Sequence, residues 1–199
     1  MPMNHEAYSD AYIRDILARN RTIAMVGASP NSSRPSYFAM KYLKQKGFTV
    51  IPVNPGQAGK KILGERVYAS LGDIKQPVDI VDIFRSSDAA FGVTREAIRI
   101  GAKVVWMQLG VRNDEAARLA EDAGLKVVMN RCPKIEYGRL SSEISWMGVN
   151  SRTLSSKRAP VPTLGMRLSL NRTSVGGAKP RPRIAPSKAR ANFRDVIRI

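Results

Sequence analysis

Ile23-Ala24-Met25-Val26-Gly27-Ala28-Ser29-Pro30-Asn31-Ser32-Ser33-Arg34-Pro35-Ser36-Tyr37 is the stretch on which the fold turns. Four apolar residues run straight into glycine, small polar residues and a proline, the pattern of a buried strand that turns into a helix. Gly27 allows a tight turn, Ala28 and Ser29 permit close backbone approach, and Pro35 suits a first helical turn. Outward from here the pattern repeats. Thr49-Val50-Ile51-Pro52-Val53 follows a helix-like segment over 36–46, and further apolar runs occupy 80–84, 104–107 and 127–129. Segments 86–100 and 113–123 have helical character. In the second, Ala116, Leu119, Ala120 and Ala123 recur at three- and four-residue spacing, with Gly124 where a C-terminal cap belongs. An N-terminal helix is expected over 8–20. Strands alternating with helices in this way imply right-handed crossovers and a parallel sheet covered on both faces. The expected class is α/β: a doubly wound, Rossmann-like parallel sheet in a single domain.

The 199 residues carry 33 Lys+Arg against 16 Asp+Glu, a formal net charge of +17. That length suits one domain plus an appendage, and a 43% hydrophobic fraction supports a sizeable core. A single cysteine excludes an internal disulfide framework and a Cys-rich zinc module. No apolar run approaches the ~20 residues of a membrane span. The first 15 residues hold three acids and no signal-peptide core, so a cytoplasmic protein is expected. The charge is uneven. Residues 1–150 hold 21 Lys+Arg and 15 acids, whereas 151–199 hold 12 Lys+Arg, Asp195 as the one acid, and five prolines. The Rossmann-like domain is therefore assigned to 1–150, and 151–199 to a basic, Pro/Arg-rich extension, largely disordered or partly docked, that buries too little apolar surface to offset its chain entropy. Within it, Leu164, Met166, Leu168 and Leu170 alternate with Gly165, Arg167 and Ser169, the period of an edge strand.

Ligands of doubly wound sheets bind beyond the carboxyl ends of the strands, where strand order reverses. Backbone N–H groups after Gly27 and the positive end of the following helix face that crevice, an anion site to which Arg34 adds a fork suited to phosphate oxygens. The dinucleotide fingerprint G-x-G-x-x-G is not met, because the chain reads G-A-S-P-N-S and the second strand ends in Val53-Asn54-Pro55-Gly56 without a carboxylate. NAD is disfavoured. No G-K-[ST] occurs anywhere, so a Walker loop and ATP hydrolysis are not expected.

The ordered set V-G-A-S…R-P-S-Y (26–37), I-P-V-N-P-G (51–56), G-K-K-I-L-G-E-R-V-Y (59–68), D-I-F-R (82–85), W-M-Q-L-G (106–110) and N-R-C-P (130–133) resembles the CoA-binding domain family. The likeness is to small stand-alone bacterial CoA-binding proteins and, more distantly, to the CoA-binding domain of the succinyl-CoA synthetase α subunit. It covers about residues 8–140. The resemblance implies coenzyme A as the cofactor, laid across strand ends. Gly27, Ala28, Ser29, Arg34, Pro35 and Ser36 would receive the diphosphate, and Val53, Asn54 and Pro55 would border the adenosine. In the synthetase-like pattern a basic residue follows the second strand; here Gln57 stands near that place, and Lys60 or Lys61 must substitute. Phe84 and Arg85 would flank the nucleotide or the start of the pantetheine arm, with Gln108, Leu109 and Gly110 farther along the groove.

No catalytic constellation accompanies this groove. The synthetase reaction uses a phosphorylated histidine in a second domain, whereas this chain has His5 alone, near its N-terminus. Cys132 is the one thiol, with Arg131 and Lys134 close in sequence but no histidine base. Asp79 and Asp82 are spaced to opposite faces of a strand, and no metal site is evident. The reading therefore leans to a CoA or acyl-CoA binding protein, a sensor or carrier, rather than an enzyme. The rival class is a nucleic-acid-associated protein that neutralises phosphates with its basic tail, although Phe193 is the tail's sole aromatic for stacking. A CoA-dependent enzyme is a third, weaker reading. Arg190, Arg194 and Arg198, four apart, would put one basic face toward an acidic partner or membrane surface. An exposed sheet edge together with 164–170 points to a homodimer.

Overall fold

The computed structural model describes residues 4–141; the extension, its alternating run, its arginine face and the boundary at 150 lie outside the described residues. In chain order the elements are α1 (Asp10–Arg19), β1 (Thr22–Val26), α2 (Pro35–Gln45), β2 (Thr49–Val53), β3 (Lys61–Ile62), β4 (Glu65–Arg66), β5 (Ile80–Ile83), α3 (Ser87–Arg99), β6 (Val104–Met107), α4 (Asp114–Asp122), β7 (Lys126–Val128) and α5 (Pro133–Leu140). Five strands form one parallel sheet in the order β2-β1-β5-β6-β7. The chain steps outward from β1 to β2, then returns past β1 to lay down β5, β6 and β7 on the other side. Strand order thus reverses between β1 and β5, and the crevice at their carboxyl ends is where such sheets bind ligands.

Each strand feeds two cores by alternation. Ile23, Met25, Val104 and Trp106 pack with Ile13 and Ile16 of α1 and Met40 and Leu43 of α2. Ala24, Val81, Ile83, Val105 and Met107 pack with Ala90 and Ala97 of α3 and Ala116 and Ala120 of α4. Burial on both faces explains why the strands read as continuous apolar runs rather than alternating ones. At the amino ends of the strands, Asp79 acts as a staple. Its Oδ2 accepts the N–H groups of Arg21 (2.9 Å) and Thr22 (3.0 Å), and its Oδ1 meets Lys103 Nζ at 2.7 Å. Partial burial works against the charge, but these partners prevail and hold the carboxyl below its ordinary range.

The β7 edge is covered by two tyrosines from the N-terminal segment. Tyr12 Oη donates to Val127 C=O and accepts from Val127 N–H, both at 3.2 Å, and Tyr8 Oη accepts from Met129 N–H at 2.8 Å. Burial pushes both phenols up to about 12. Pairing of two copies along this edge would have to displace both hydroxyls. A short β3–β4 hairpin was not expected from the sequence. Its two-residue turn has Leu63 at φ 50° and Gly64 at φ 87°, the two left-handed residues that a type I′ turn demands. Lys44 Nζ donates to Leu63 C=O at 2.7 Å and pairs with Glu65 at 2.6 Å, fastening the hairpin to α2. Among the described residues no helix is long and apolar enough to cross a membrane.

Candidate functional site

Three strands converge on Gly27. Its N–H donates to Val53 C=O at 2.9 Å, while Phe84 N–H donates to Val26 C=O at 2.8 Å. The residue sits at φ +90°, and a Cβ there would stand 2.5 Å from the carbonyl oxygen of Phe84. Glycine is therefore required twice over, by conformation and by space. The loop beyond is built from short polar bonds. Ser29 Oγ accepts from Asn31 N–H (3.2 Å), and Asn31 Oδ1 accepts from Ser33 N–H (2.8 Å). Asn54, at the end of β2, ties this loop down by donating from Nδ2 to Ala28 C=O at 2.8 Å and accepting Gly56 N–H at 3.0 Å. Helix α2 then starts with Pro35 at its first turn. Arg34 holds the N-cap position without a side-chain capping bond and is exposed there.

A cavity of about 900 Å³ opens at this point and runs across the ends of β1, β5 and β6 to the start of α5. Small-molecule pockets of proteins typically span ~300–1,000 Å³. Of the residues expected at the site, Gly27, Ser29, Arg34, Pro35, Ser36, Asn54, Phe84, Arg85, Gln108 and Leu109 line it. The others stand elsewhere. Ala28 is buried behind the turn and Val53 belongs to the core. Pro55 opens a 3-10 turn, and Lys60 Nζ is engaged with Gln57 Oε1 at 3.1 Å. Gly110 N–H donates to Asn130 Oδ1 at 2.8 Å, while its neighbours Leu109 and Val111 face the cavity. Ser33, Phe38, Ala39, Val111, Lys134 and Ile135 also line the cavity and are not among the expected residues; Cys132, the one thiol of the chain, joins them. The usable signal for the last group was Asn130-Arg131-Cys132-Pro133 after the final strand, because every other strand end in this sheet also borders the crevice.

Arg34, Arg85 and Lys134 give the wall three cations, and no carboxylate lines it among the described residues. Beneath the wall, Asp82 is fully buried in β5, and Gln108 Nε2 lies 2.9 and 3.1 Å from its two carboxyl oxygens. Burial pushes Asp82 up to about 8, with the Gln108 bond pulling the other way. The Cys132 thiol is pushed up to about 11, chiefly by burial; N–H groups of Ile135 and Lys134 oppose the shift and nearby Asp82 adds to it. It is a protonated thiol at neutral pH. Asp79 and Asp82 do not meet: one staples strand starts and the other lies in the core. No group of three or more His, Cys, Asp or Glu side chains is placed to hold a metal among the described residues.

The CoA binding domain family matches residues 21–138, from the first strand to the last helix. The chain belongs to that family. YneT of Bacillus subtilis (strain 168), itself uncharacterized, is 37% identical over 129 residues, covering 65% of this chain and 94% of that protein. A hypothetical protein from Pyrococcus horikoshii OT3 superposes with a TM-score of 0.65 at 39% identity, over 71% of this chain and 98% of its own. The dinucleotide-forming acetyl-coenzyme A synthetase 1 of Ca. Korarchaeum cryptofilum shares the fold at 25% identity and a TM-score of 0.51. There 59% of this chain is covered but 28% of the synthetase. The fold found in this family therefore also occurs within a much longer chain.

Proposed function

We propose that this protein binds coenzyme A, or an acyl-CoA, in the cavity at the β1–β5 reversal, and holds it as a ligand rather than transforming it. The observation that carries the reading is the coincidence of two facts. The matched CoA binding domain spans 21–138, and within it the large cavity lies at the strand-order reversal with Arg34, Arg85 and Lys134 on its wall. Coenzyme A carries a diphosphate and a 3′-phosphate, so a wall with three cations and no carboxylate suits it. The diphosphate meets the amides after Gly27 and the start of α2, with Arg34 as its fixed charge. The adenosine lies toward Asn54, and the pantetheine arm runs past Phe84 and Gln108. The thiol that lines the cavity is held protonated, which supports binding over nucleophilic chemistry. A sensor or carrier fits such a site.

Calorimetric titration with CoA, dephospho-CoA and NAD tests this. CoA binding that weakens on loss of the 3′-phosphate, with NAD inert, is the expected result; equal binding of NAD, or none of CoA, contradicts it. A second reading rests on the 12 Lys+Arg of residues 151–199. Nucleic acid would be retained by the tail independently of CoA, with a steep loss of affinity in salt.

A further inference from the structure

The floor of the cavity carries a polar pair that the CoA reading does not by itself assign. Asp82 lies in β5 between Met25 of β1 and Trp106 of β6, with no exposure to solvent. Its hydrogen-bond partner among the described residues is Gln108, whose Nε2 straddles both carboxyl oxygens at 2.9 and 3.1 Å. Gln108 is itself 5% exposed, and it lines the cavity. Once ionised, above the range near 8 to which burial raises it, the Asp82 carboxylate only accepts hydrogen bonds, so the amide must turn its NH2 group to Asp82. The amide oxygen Oε1 is then the atom left for the cavity, and among the described residues it has no hydrogen-bond partner.

We propose that Asp82 is a positioning residue that fixes the Gln108 amide with Oε1 toward the cavity, where it accepts a hydrogen bond from an amide N–H of the pantetheine arm. This rests on the CoA reading and goes further by naming the ligand atom. Sheet geometry selects that atom. Gln108 follows β6 and Gly27 follows β1, two strand spacings apart, about 10 Å. An extended chain gains roughly 1.2 Å per bond. Counted from the diphosphate, the first amide nitrogen of the arm lies roughly 7 Å away and the second roughly 12 Å, while the sulfur lies roughly 16 Å away at the same rise per bond. The contact therefore falls on the amides, not on the thiol. Free CoA and a short acyl-CoA should be held alike here.

The charged neighbours are few. Cys132 is the titratable group that senses Asp82, and α5 contributes Lys134 beside that thiol and Glu136, which is engaged with Arg139. No cation reaches the carboxyl among the described residues, so its protonation is governed by burial. Protonated, Asp82 can donate to Oε1 and let the amide turn over. CoA affinity should then rise as pH increases through the range near 8.

The test uses the full chain and two titrants, CoA and adenosine 3′,5′-bisphosphate, which lacks the arm. Asp82→Asn can donate to Oε1, so the amide polarity is no longer fixed. At pH 9, where the wild-type carboxyl is ionised, CoA affinity should fall about threefold to tenfold while bisphosphate affinity stays the same, and the rise with pH should vanish for CoA. Gln108→Leu, which removes the acceptor and with it the Asp82 hydrogen bond, should lower CoA and acetyl-CoA affinity about tenfold, again sparing the bisphosphate. Unchanged CoA affinity in both variants would overturn the assignment, as would an equal loss for CoA and bisphosphate, the mark of a merely structural role. A loss for CoA but none for acetyl-CoA would place the contact at the thiol and overturn it too. A wild-type chain that binds neither titrant defeats the underlying CoA reading, an outcome distinct from the others.

Discussion

Replacing Gly27 by alanine probes the site and the fold at the same atom. Two costs arise. The φ of +90° is strained for any L side chain, at roughly 1–2 kcal/mol. The new Cβ would also meet the Phe84 carbonyl oxygen at 2.5 Å, a backbone atom that cannot swing aside as the Arg85 side chain at 3.1 Å could. The carbonyl belongs to backbone pinned by the Phe84 N–H bond to Val26, so β1 and β5 must separate by several tenths of an ångström. Overpacking of this kind costs roughly 1–3 kcal/mol, giving a total of roughly 2–5 kcal/mol. For a domain of this size that lowers Tm by about 10 °C. Gly124→Ala is the matched control: its φ is +81°, yet nothing lies within 4 Å of its added Cβ. It should lose only the conformational share, about 1 kcal/mol. Thermal unfolding of both variants, followed by CoA titration, reads the two effects apart. Gly27→Ala should also weaken CoA at least tenfold, since the amides that face the diphosphate move with the strand. Equal Tm for the two variants together with unaltered CoA affinity would refute the convergence of β1, β2 and β5 on this residue.

Further expectations concern single groups. Asp82 is neutral in the fold up to about 8, whereas in the unfolded chain it ionises near 4. The folded state therefore binds a proton that the unfolded state lacks, and stability falls as pH rises between those values, by at most ~1.4 kcal/mol per pH unit. Urea denaturation at pH 5 and 8 should show this slope in the wild type and its loss in Asp82→Asn. Tyr12→Phe removes both hydroxyl bonds to Val127 and should cost ~1–3 kcal/mol in urea midpoint without changing the m-value; an unmoved midpoint would mean water replaces them freely. Cys132, pushed up to about 11, should react with iodoacetamide at neutral pH about tenfold more slowly than an ordinary thiol, the smaller thiolate fraction being partly offset by the greater nucleophilicity of a more basic thiolate, and labelling as fast as free cysteine would contradict its burial.

The sheet was legible because its strands are buried on both faces. Ile80-Val81-Asp82-Ile83 and Val104-Val105-Trp106-Met107 leave no alternation to misread, and helix starts were marked by Pro35 and Asn113. Strand order was not written in any segment. It follows from which runs pack together, and so the far wall of the cavity, formed by Cys132, Lys134 and Ile135, stayed hidden until β7 was placed at one end of the sheet. The β3–β4 hairpin escaped because its strands are two residues long and its turn puts leucine where asparagine is usual. Lys60 and Lys61, the candidates for the basic residue after the second strand, lie where the chain leaves the turn and enters the hairpin, a placement that no local pattern announces, and Lys60 Nζ meets Gln57 Oε1 at 3.1 Å. Asp82 looked like one of two carboxylates on a strand. Its burial, and its hold on Gln108, arise from sheet register alone.

The central claim is that the turn after β1 receives the diphosphate of coenzyme A. A crystal structure of the protein grown with CoA examines it most directly. Diphosphate density against the backbone of Gly27–Ser29 with the Arg34 guanidinium on its oxygens, and the arm continuing past Phe84 to Gln108, is the predicted result. An empty crevice in crystals saturated with CoA, or the nucleotide bound on another face of the sheet, would contradict it.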